Sequence, residues 1–229
     1  DPVRMIAVPR AAKAPVIDGD LSEFSAAPFY LPDPKKTHTL CLREGTGAVW
    51  NGDADLSGRL ALLWDDRFLY IGAEVRDDKA CSPHADPALY WANDALHLSL
   101  AMSGDLTDPS LRNLIELAFC RHGVSSVLSG SDPVDLSGVR MAAVRRGDRT
   151  CYEAAIPWAM FKSGFVPGRS PAPGFNFSFS DNDGITIPGA PAELKGYQKA
   201  LQFNSGIADR KSSADDAYLI FTNHQSKGD

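Results

Sequence analysis

The chain has 229 residues with 23 Lys and Arg against 29 Asp and Glu, a formal net charge of −6, so nucleic acid and anionic membrane surfaces, which require a basic patch, are poor partners. Hydrophobic residues make up 44% and charged residues 23%, enough for an ordinary packed core, and no apolar run reaches the roughly 18 residues that a membrane helix needs. The 19 Gly and 16 Pro are spread along the whole chain, which cuts it into short pieces and favours strands over long helices.

The opening residues, Asp1-Pro2-Val3-Arg4, hold neither an initiator Met nor a signal-peptide apolar stretch, so the chain reads as a processed or excised piece of a longer product. The polar tract Lys35 to Asp55 reads as a surface loop. Leu60 to Trp64 and Phe68 to Val75 are apolar runs separated by Asp65-Asp66-Arg67, the pattern of a β-hairpin. The clearest alternation is Ala95-Leu96-His97-Leu98-Ser99-Leu100, a half-buried strand with His97 and Ser99 on its polar side. Further strands are expected over Leu114 to Phe119, Val124 to Leu128, Val139 to Val144, Cys151 to Ile156, Phe175 to Ser180 and Tyr218 to Thr222. One or two helical turns are expected after Pro157, and Asp181 to Lys199, with Gly184, Pro188, Gly189 and Pro191, reads as a second surface loop. Short strands, turn residues between them and no alternating helices predict an all-β antiparallel sandwich forming one domain over residues 1–229.

Cys41, Cys81, Cys120 and Cys151 show neither zinc nor redox spacing and fit two disulfides in an oxidising compartment or four buried thiols. If bridged, the preferred pairs are Cys41 with Cys81 and Cys120 with Cys151, which flank segments that read as neighbouring strands. The five histidines never fall at metal-pair separations, and no Gly-x-Ser-x-Gly elbow, Walker-type loop or dinucleotide fingerprint is present. Asp181-Asn182-Asp183-Gly184 brings three oxygen-bearing side chains to one turn, suited to a hard cation such as calcium, with Asp77 and Asp78 as further ligands if the fold brings them together; the plain alternative is a polar turn.

A tryptophan face stacks on a sugar ring while polar neighbours bond its hydroxyls. Trp64 and Trp158 read as core and Trp50 as an exposed loop residue or an anchored plug, whereas Trp91, in Tyr90-Trp91-Ala92-Asn93-Asp94, is either a half-exposed platform or an ordinary packed residue. His97 faces Glu116 if their strands pair in the simplest register, giving a buried structural pair or, with Trp91, a pocket.

The chain resembles the carbohydrate-binding module family 9-like domains of the DOMON-like superfamily from about Pro15 to Thr222. The resemblance is carried by Pro15-Val16-Ile17-Asp18-Gly19-Asp20-Leu21, Leu63-Trp64-Asp65-Asp66-Arg67-Phe68-Leu69-Tyr70-Ile71, Val75-Arg76-Asp77-Asp78, Trp91-Ala92-Asn93-Asp94-Ala95-Leu96, Tyr152-Glu153-Ala154-Ala155-Ile156-Pro157-Trp158 and Ser180-Asp181-Asn182-Asp183-Gly184. It implies a jelly-roll-like β-sandwich, a module of a secreted bacterial protein, extracellular or periplasmic, accessory to polysaccharide degradation, non-catalytic and often calcium-binding. Sugar-binding members clamp a terminal saccharide between two tryptophans, one matching Trp91. By the same matching His97 stands where they have Glu and Glu116 where they have Arg. At the second tryptophan's place this chain has Lys211, a contact for an acidic sugar, with Phe203 the aromatic nearby. The expected ligand is an oligo- or polysaccharide, and neighbouring domains of a larger protein are further partners. Two alternatives stand beside this: a structural or interaction sandwich without a sugar site, and a haem-binding domain using His97 with Met5, Met102, Met141 or Met160.

Overall fold

A period-two pattern runs through the computed structural model, which describes residues 5–25, 28–32, 40–42, 48–103, 106, 114–128, 134–161, 164–184, 197–208 and 211–223. Its strands are β1 (Met5–Pro9), β2 (Phe29–Leu31), β3 (Leu40–Leu42), β4 (Leu56–Trp64), β5 (Phe68–Asp77), β6 (Ala95–Ala101) and β7 (Leu114–Cys120), followed by β8 (Gly123–Leu128), β9 (Arg140–Arg146), β10 (Arg149–Pro157), β11 (Gly174–Asn182), β12 (Tyr197–Gln202) and β13 (Ala217–Thr222). One sheet of five strands has the order β2-β4-β5-β10-β9. The other, of eight, runs β1-β13-β11-β6-β7-β8, with β12 alongside the end of β11 and β3 beyond it. The two sheets form the β-sandwich expected from the sequence, with the β4–β5 hairpin turning at Asp65. There the Asp65 carboxylate accepts the backbone N–H groups of Arg67 and Phe68.

The sheets pack through alternate side chains. Leu96, Leu98 and Leu100 of β6 and Phe175, Phe177 and Phe179 of β11 are buried against Leu60, Leu62, Ile71 and Ile156 from the other sheet. Each such side chain contributes about 1.5–3 kcal/mol by leaving water.

Five expectations change. The sandwich is not wholly antiparallel: β1 runs parallel to β13, the two coming from opposite ends of the described chain, so no tight turn fixes their relative direction. The two tracts read as loops contain β3, the end of β11 and the start of β12; Asp181, Asn182 and Lys199 are buried. Much of what remains of those tracts lies outside the described residues. A second short 3₁₀ turn, Pro87–Ala92, precedes β6, capped by the Asp86 carboxylate, which accepts the Ala88 N–H, and started by Pro87. The Cys120–Cys151 bridge is absent: both thiols are free, Cys120 on β7 of one sheet and Cys151 on β10 of the other. Cys81 is also free, and the side chain of Cys41 lies outside the described residues.

The outer face of each sheet is treated differently. On the five-stranded sheet, Ile17, Leu21 and Phe24 lie over Ala61, Leu63, Tyr70 and Ala155. Gly72 makes room for this cover, since a Cβ there would sit 2.5 Å from the Phe24 ring. The buried Glu153 pins the segment by accepting the N–H groups of Asp18 (2.9 Å) and Gly19 (2.8 Å), the latter with a φ of +85°. The cover stops short of the far end of that sheet. On the eight-stranded sheet, residues 204–208 and 211–216 lie over outward side chains of β7 and β11, Lys211 reaching Glu116. The Asn176 amide fastens them by donating to the carbonyls of Asn204 (2.9 Å) and Ser205 (3.2 Å) and accepting the Asn204 N–H (3.0 Å).

Candidate functional site

Because Leu96, Leu98 and Leu100 point inward, His97 and Ser99 point outward, and on β7 Glu116 and Ala118 share that face. The register sets His97 opposite Ala118 and Ser99 opposite Glu116. His97 and Glu116 are therefore diagonal neighbours rather than the facing pair expected from sequence. That separation still leaves long side chains within reach.

Trp91 reaches the same face from the 3₁₀ turn. It is half-buried and packs with Tyr90 against Ala95 and Ala118, and its carbonyl oxygen lies 3.2 Å from His97 Nε2. A carbonyl can only accept, so Nε2 carries the proton and Nδ1 is left as an acceptor. Burial, reinforced by the nearby Lys211 ammonium, pushes the imidazole down to about 3, which keeps it neutral. Lys211 lies 2.5 Å from Glu116 Oε2 and 3.1 Å from the Ile207 carbonyl. Burial raises the Glu116 carboxyl while Lys211 opposes the rise.

Trp91, His97, Glu116 and Lys211 are thus brought together on the outer face of the eight-stranded sheet. Phe203 is not among them. Its ring is buried in the core, stacked on Phe177 at 5.1 Å and edge-on to Phe29 at 5.3 Å. Sequence reading missed the contribution of β11, whose outward Asn176, Ser178 and Ser180 are all buried. The signal was present in Phe175-Asn176-Phe177-Ser178-Phe179-Ser180, where strict alternation aims the polar side chains at this face. Glu116 Oε1 and Ser178 Oγ are buried with no hydrogen-bond partner among the described residues. Asp216, fully buried beside them, is pushed up to about 8 by burial.

The expected cation ligands separate into two groups. Asp77 is withdrawn from any cation by Arg145, which donates to its carboxylate (3.1 Å) and its carbonyl (2.7 Å), and by the Lys79 N–H. Asp181 turns to the Lys199 ammonium at 3.1 Å, which also holds Asp55 at 2.6 Å and Asp183 at 3.0 Å. Lys79 Nζ donates to the Asp183 carbonyl. Asp55, Asp78 and Asp183 offer carboxylate oxygens within 4.8 Å of one another, a donor set of the right chemistry for a hard cation. Asp55 joins this group in place of Asp77 and Asp181. Lys199, fully buried, already supplies positive charge there.

Haem ligation does not assemble around His97. Its Nε2 is engaged by Trp91, Met102 and Met160 are core residues, Met141 packs against the core and Met5 is exposed.

Residues 35–189 match the family described as "Carbohydrate family 9 binding domain-like". The chain belongs to this family. Its fold is similar to that of a family 9 carbohydrate-binding module from Caldicellulosiruptor kristjanssonii solved in complex with glucose, with a TM-score of 0.67, 16% identity, and coverage of 99% of this chain and 100% of that one. The structure of a family 9 module from the same organism with cellotriose gives a TM-score of 0.67 and 16% identity over 99% of this chain and 97% of that one. Among curated proteins none matches the chain in sequence. Family 9-like domains are named for binding rather than catalysis. No helix among the described residues is long and apolar enough to cross a membrane.

Proposed function

We propose that the chain is a non-catalytic module that binds a neutral saccharide in the recess formed by Trp91, His97, Glu116 and Lys211. The observation that carries this reading is the convergence of these side chains on one face where Glu116 Oε1 and Ser178 Oγ are left short of partners among the described residues. Leaving buried polar atoms unpaired is unfavourable by about 1–3 kcal/mol each, and sugar hydroxyls are groups that relieve it. The Trp91 ring supplies the apolar surface. Because Glu116 neutralises Lys211, the recess suits an uncharged sugar better than a uronate. Membership of a carbohydrate-binding family supports the reading, as do sugars in two modules of similar fold.

Calorimetric titration with glucose and cellotriose tests it. Binding that is lost in Trp91→Ala and in Glu116→Gln, with both variants still folded, is the expected result. Absence of binding across a broad glycan array would instead favour a structural or interaction module. The same proposal places the module, as one domain over 1–229, in a secreted system acting on polysaccharide, outside the cell or in the periplasm, beside further domains of a larger protein.

A second proposal is calcium at Asp55, Asp78 and Asp183, favoured by three carboxylates within 4.8 Å. With Lys199 already pairing two of them, calcium is expected to raise the melting temperature only slightly, and a chelator to lower it by the same small amount. A melt indifferent to both would remove the cation.

A further inference from the structure

The far end of the five-stranded sheet, beyond the reach of Phe24, bears a cavity of about 290 Å³ lined by Tyr30, Ser57, Arg59, Glu74, Arg76 and Arg149 among others. Register explains its composition. One row across the sheet sets Tyr30 opposite Arg59 and Arg59 opposite Glu74. The adjacent row sets Ser57 opposite Arg76, Arg76 opposite Arg149, and Arg149 opposite Arg146. Three arginines thus lie side by side on neighbouring strands, an arrangement that is intrinsically unfavourable because like charges directly opposite repel.

The compensation is incomplete. Glu74 is shared by Arg149 at 2.9 Å and Arg59 at 3.4 Å, and Asp148 is 2.7 Å from Arg76 and 4.0 Å from Arg149. Four arginines, of which Arg59, Arg76 and Arg149 line the cavity, meet three carboxylates, Glu74, Asp148 and the cavity-lining Asp53, on a chain whose formal net charge is −6. The side chains of Arg59, Arg76 and Arg149 remain 38–48% exposed, so they are within reach of solutes. Each guanidinium presents five N–H donors in a planar fork that matches a carboxylate or a sulfate, and only some of them are used here. Tyr30, 58% exposed at the lip of the cavity, offers a ring face. The volume is at the small end of ligand cavities, suited to one or two sugar rings.

We infer that this cleft is a second binding site, for an anionic saccharide, with Arg76, Arg149 and Arg59 holding its carboxylate or sulfate group and Tyr30 stacking on the ring. It lies on the opposite sheet from the recess and does not depend on neutral-sugar binding there.

Calorimetric titration of the whole chain with trigalacturonate, a sulfated disaccharide and uncharged cellotriose, at low and at high salt, tests the inference. At least one anionic probe is expected to bind at low salt, weaken as salt rises, and lose about tenfold or more in affinity in the Arg76→Ala/Arg149→Ala double variant. Trp91→Ala should leave that binding intact, and the double variant should leave any cellotriose binding intact. A response to trigalacturonate alone assigns a carboxylate site and a response to the sulfated probe alone a sulfate-ester site. The inference is overturned if neither anionic probe binds, if the double variant binds them as wild type does, or if inorganic sulfate competes at equal concentration. Should the double variant fail to fold, amide shifts in the wild-type chain during the same titration decide: they must centre on 57–59, 74–76 and 149–151, and shifts elsewhere refute the site.

Discussion

On the outer face of the eight-stranded sheet, Asn176, Ser178, Ser99 and Glu116 are buried beneath residues 204–208 and 211–216, whereas Arg59, Arg76 and Arg149 on the opposite outer face stand 38–48% in solvent. Both faces arise from the same alternation along strands. The covered face tolerates charge only when it is matched, as Lys211 matches Glu116 at 2.5 Å, because an unpaired charge out of water is strongly unfavourable. The open face accumulates arginines beyond its carboxylates because water screens the excess. On the proposed reading, recognition in the recess works by completing hydrogen bonds. In the cleft it works by charge, with a strong dependence on salt.

The sharpest way to break this comparison is to remove the fastening of the covered face. The Asn176 side chain bonds Asn204 and Ser205 at distances between 2.9 and 3.2 Å and also accepts the Phe177 N–H at 2.9 Å. Asn176→Ala removes these hydrogen bonds to Asn204, Ser205 and Phe177 and is expected to destabilise the chain by about 2–3 kcal/mol. A denaturant titration reads this loss directly. A change under about 0.5 kcal/mol would mean that residues 204–208 are not held by the sheet and that the recess is as open as the cleft.

Next in size is a dependence on pH to which the covered face contributes through His97. His97 has a folded pKa near 3 against an unfolded value of 6.5. Between those values the unfolded chain takes up a proton that the folded chain refuses, so stability falls as pH drops through this window. The slope approaches about 1.4 kcal/mol per pH unit. Asp181 and Asp216, pushed up to about 8, act in the opposite sense, holding protons that the unfolded chain releases as pH rises above the ordinary carboxylate range. Comparing wild type with His97→Asn isolates the imidazole: the difference between their stabilities should shrink steadily from pH 6.5 to pH 4. Parallel curves would show that His97 is accessible to solvent and that the recess is wetter than its burial implies.

How much of this was legible from the sequence depends on which interaction fixes each feature. The β4–β5 hairpin and β6 were readable because turn chemistry and period-two alternation are local. Trp91, His97 and Glu116 were grouped by alternation and the simplest strand pairing and Lys211 by family resemblance, but the diagonal placement of His97 and Glu116 was not legible, since register is set by the pairing of whole strands. Phe203 was misplaced because its side chain follows the inward parity of a chain leaving β12, which pairing alone determines. Lys199 was read as loop because a buried lysine is intelligible only once Asp55, Asp181 and Asp183 are known to surround it. The arginine cleft was invisible for the same reason: Arg59, Arg76, Arg146 and Arg149 are scattered in sequence and become neighbours only through the registers of β4, β5, β10 and β9.

The smallest effect discriminates most finely between the faces. Arg76 and Arg149 sit directly opposite each other, and each is partly exposed, so removing one deletes a screened ion pair together with a screened repulsion. Exposed pairs are worth roughly 0–1 kcal/mol, and the cross-strand repulsion is of similar size and opposite sign. Arg149→Ala gives up its contact with Glu74 at 2.9 Å, although Arg59 remains to pair that carboxylate. The net change in stability should therefore lie within about 0.5 kcal/mol of zero, and it should become more favourable to the variant at low salt, where repulsion between arginines is least screened. Urea titrations at two salt concentrations measure both quantities. A loss above 2 kcal/mol, or a salt response of the opposite sign, would show that these arginines hold the sheet together, leaving no excess of positive charge for a ligand to meet.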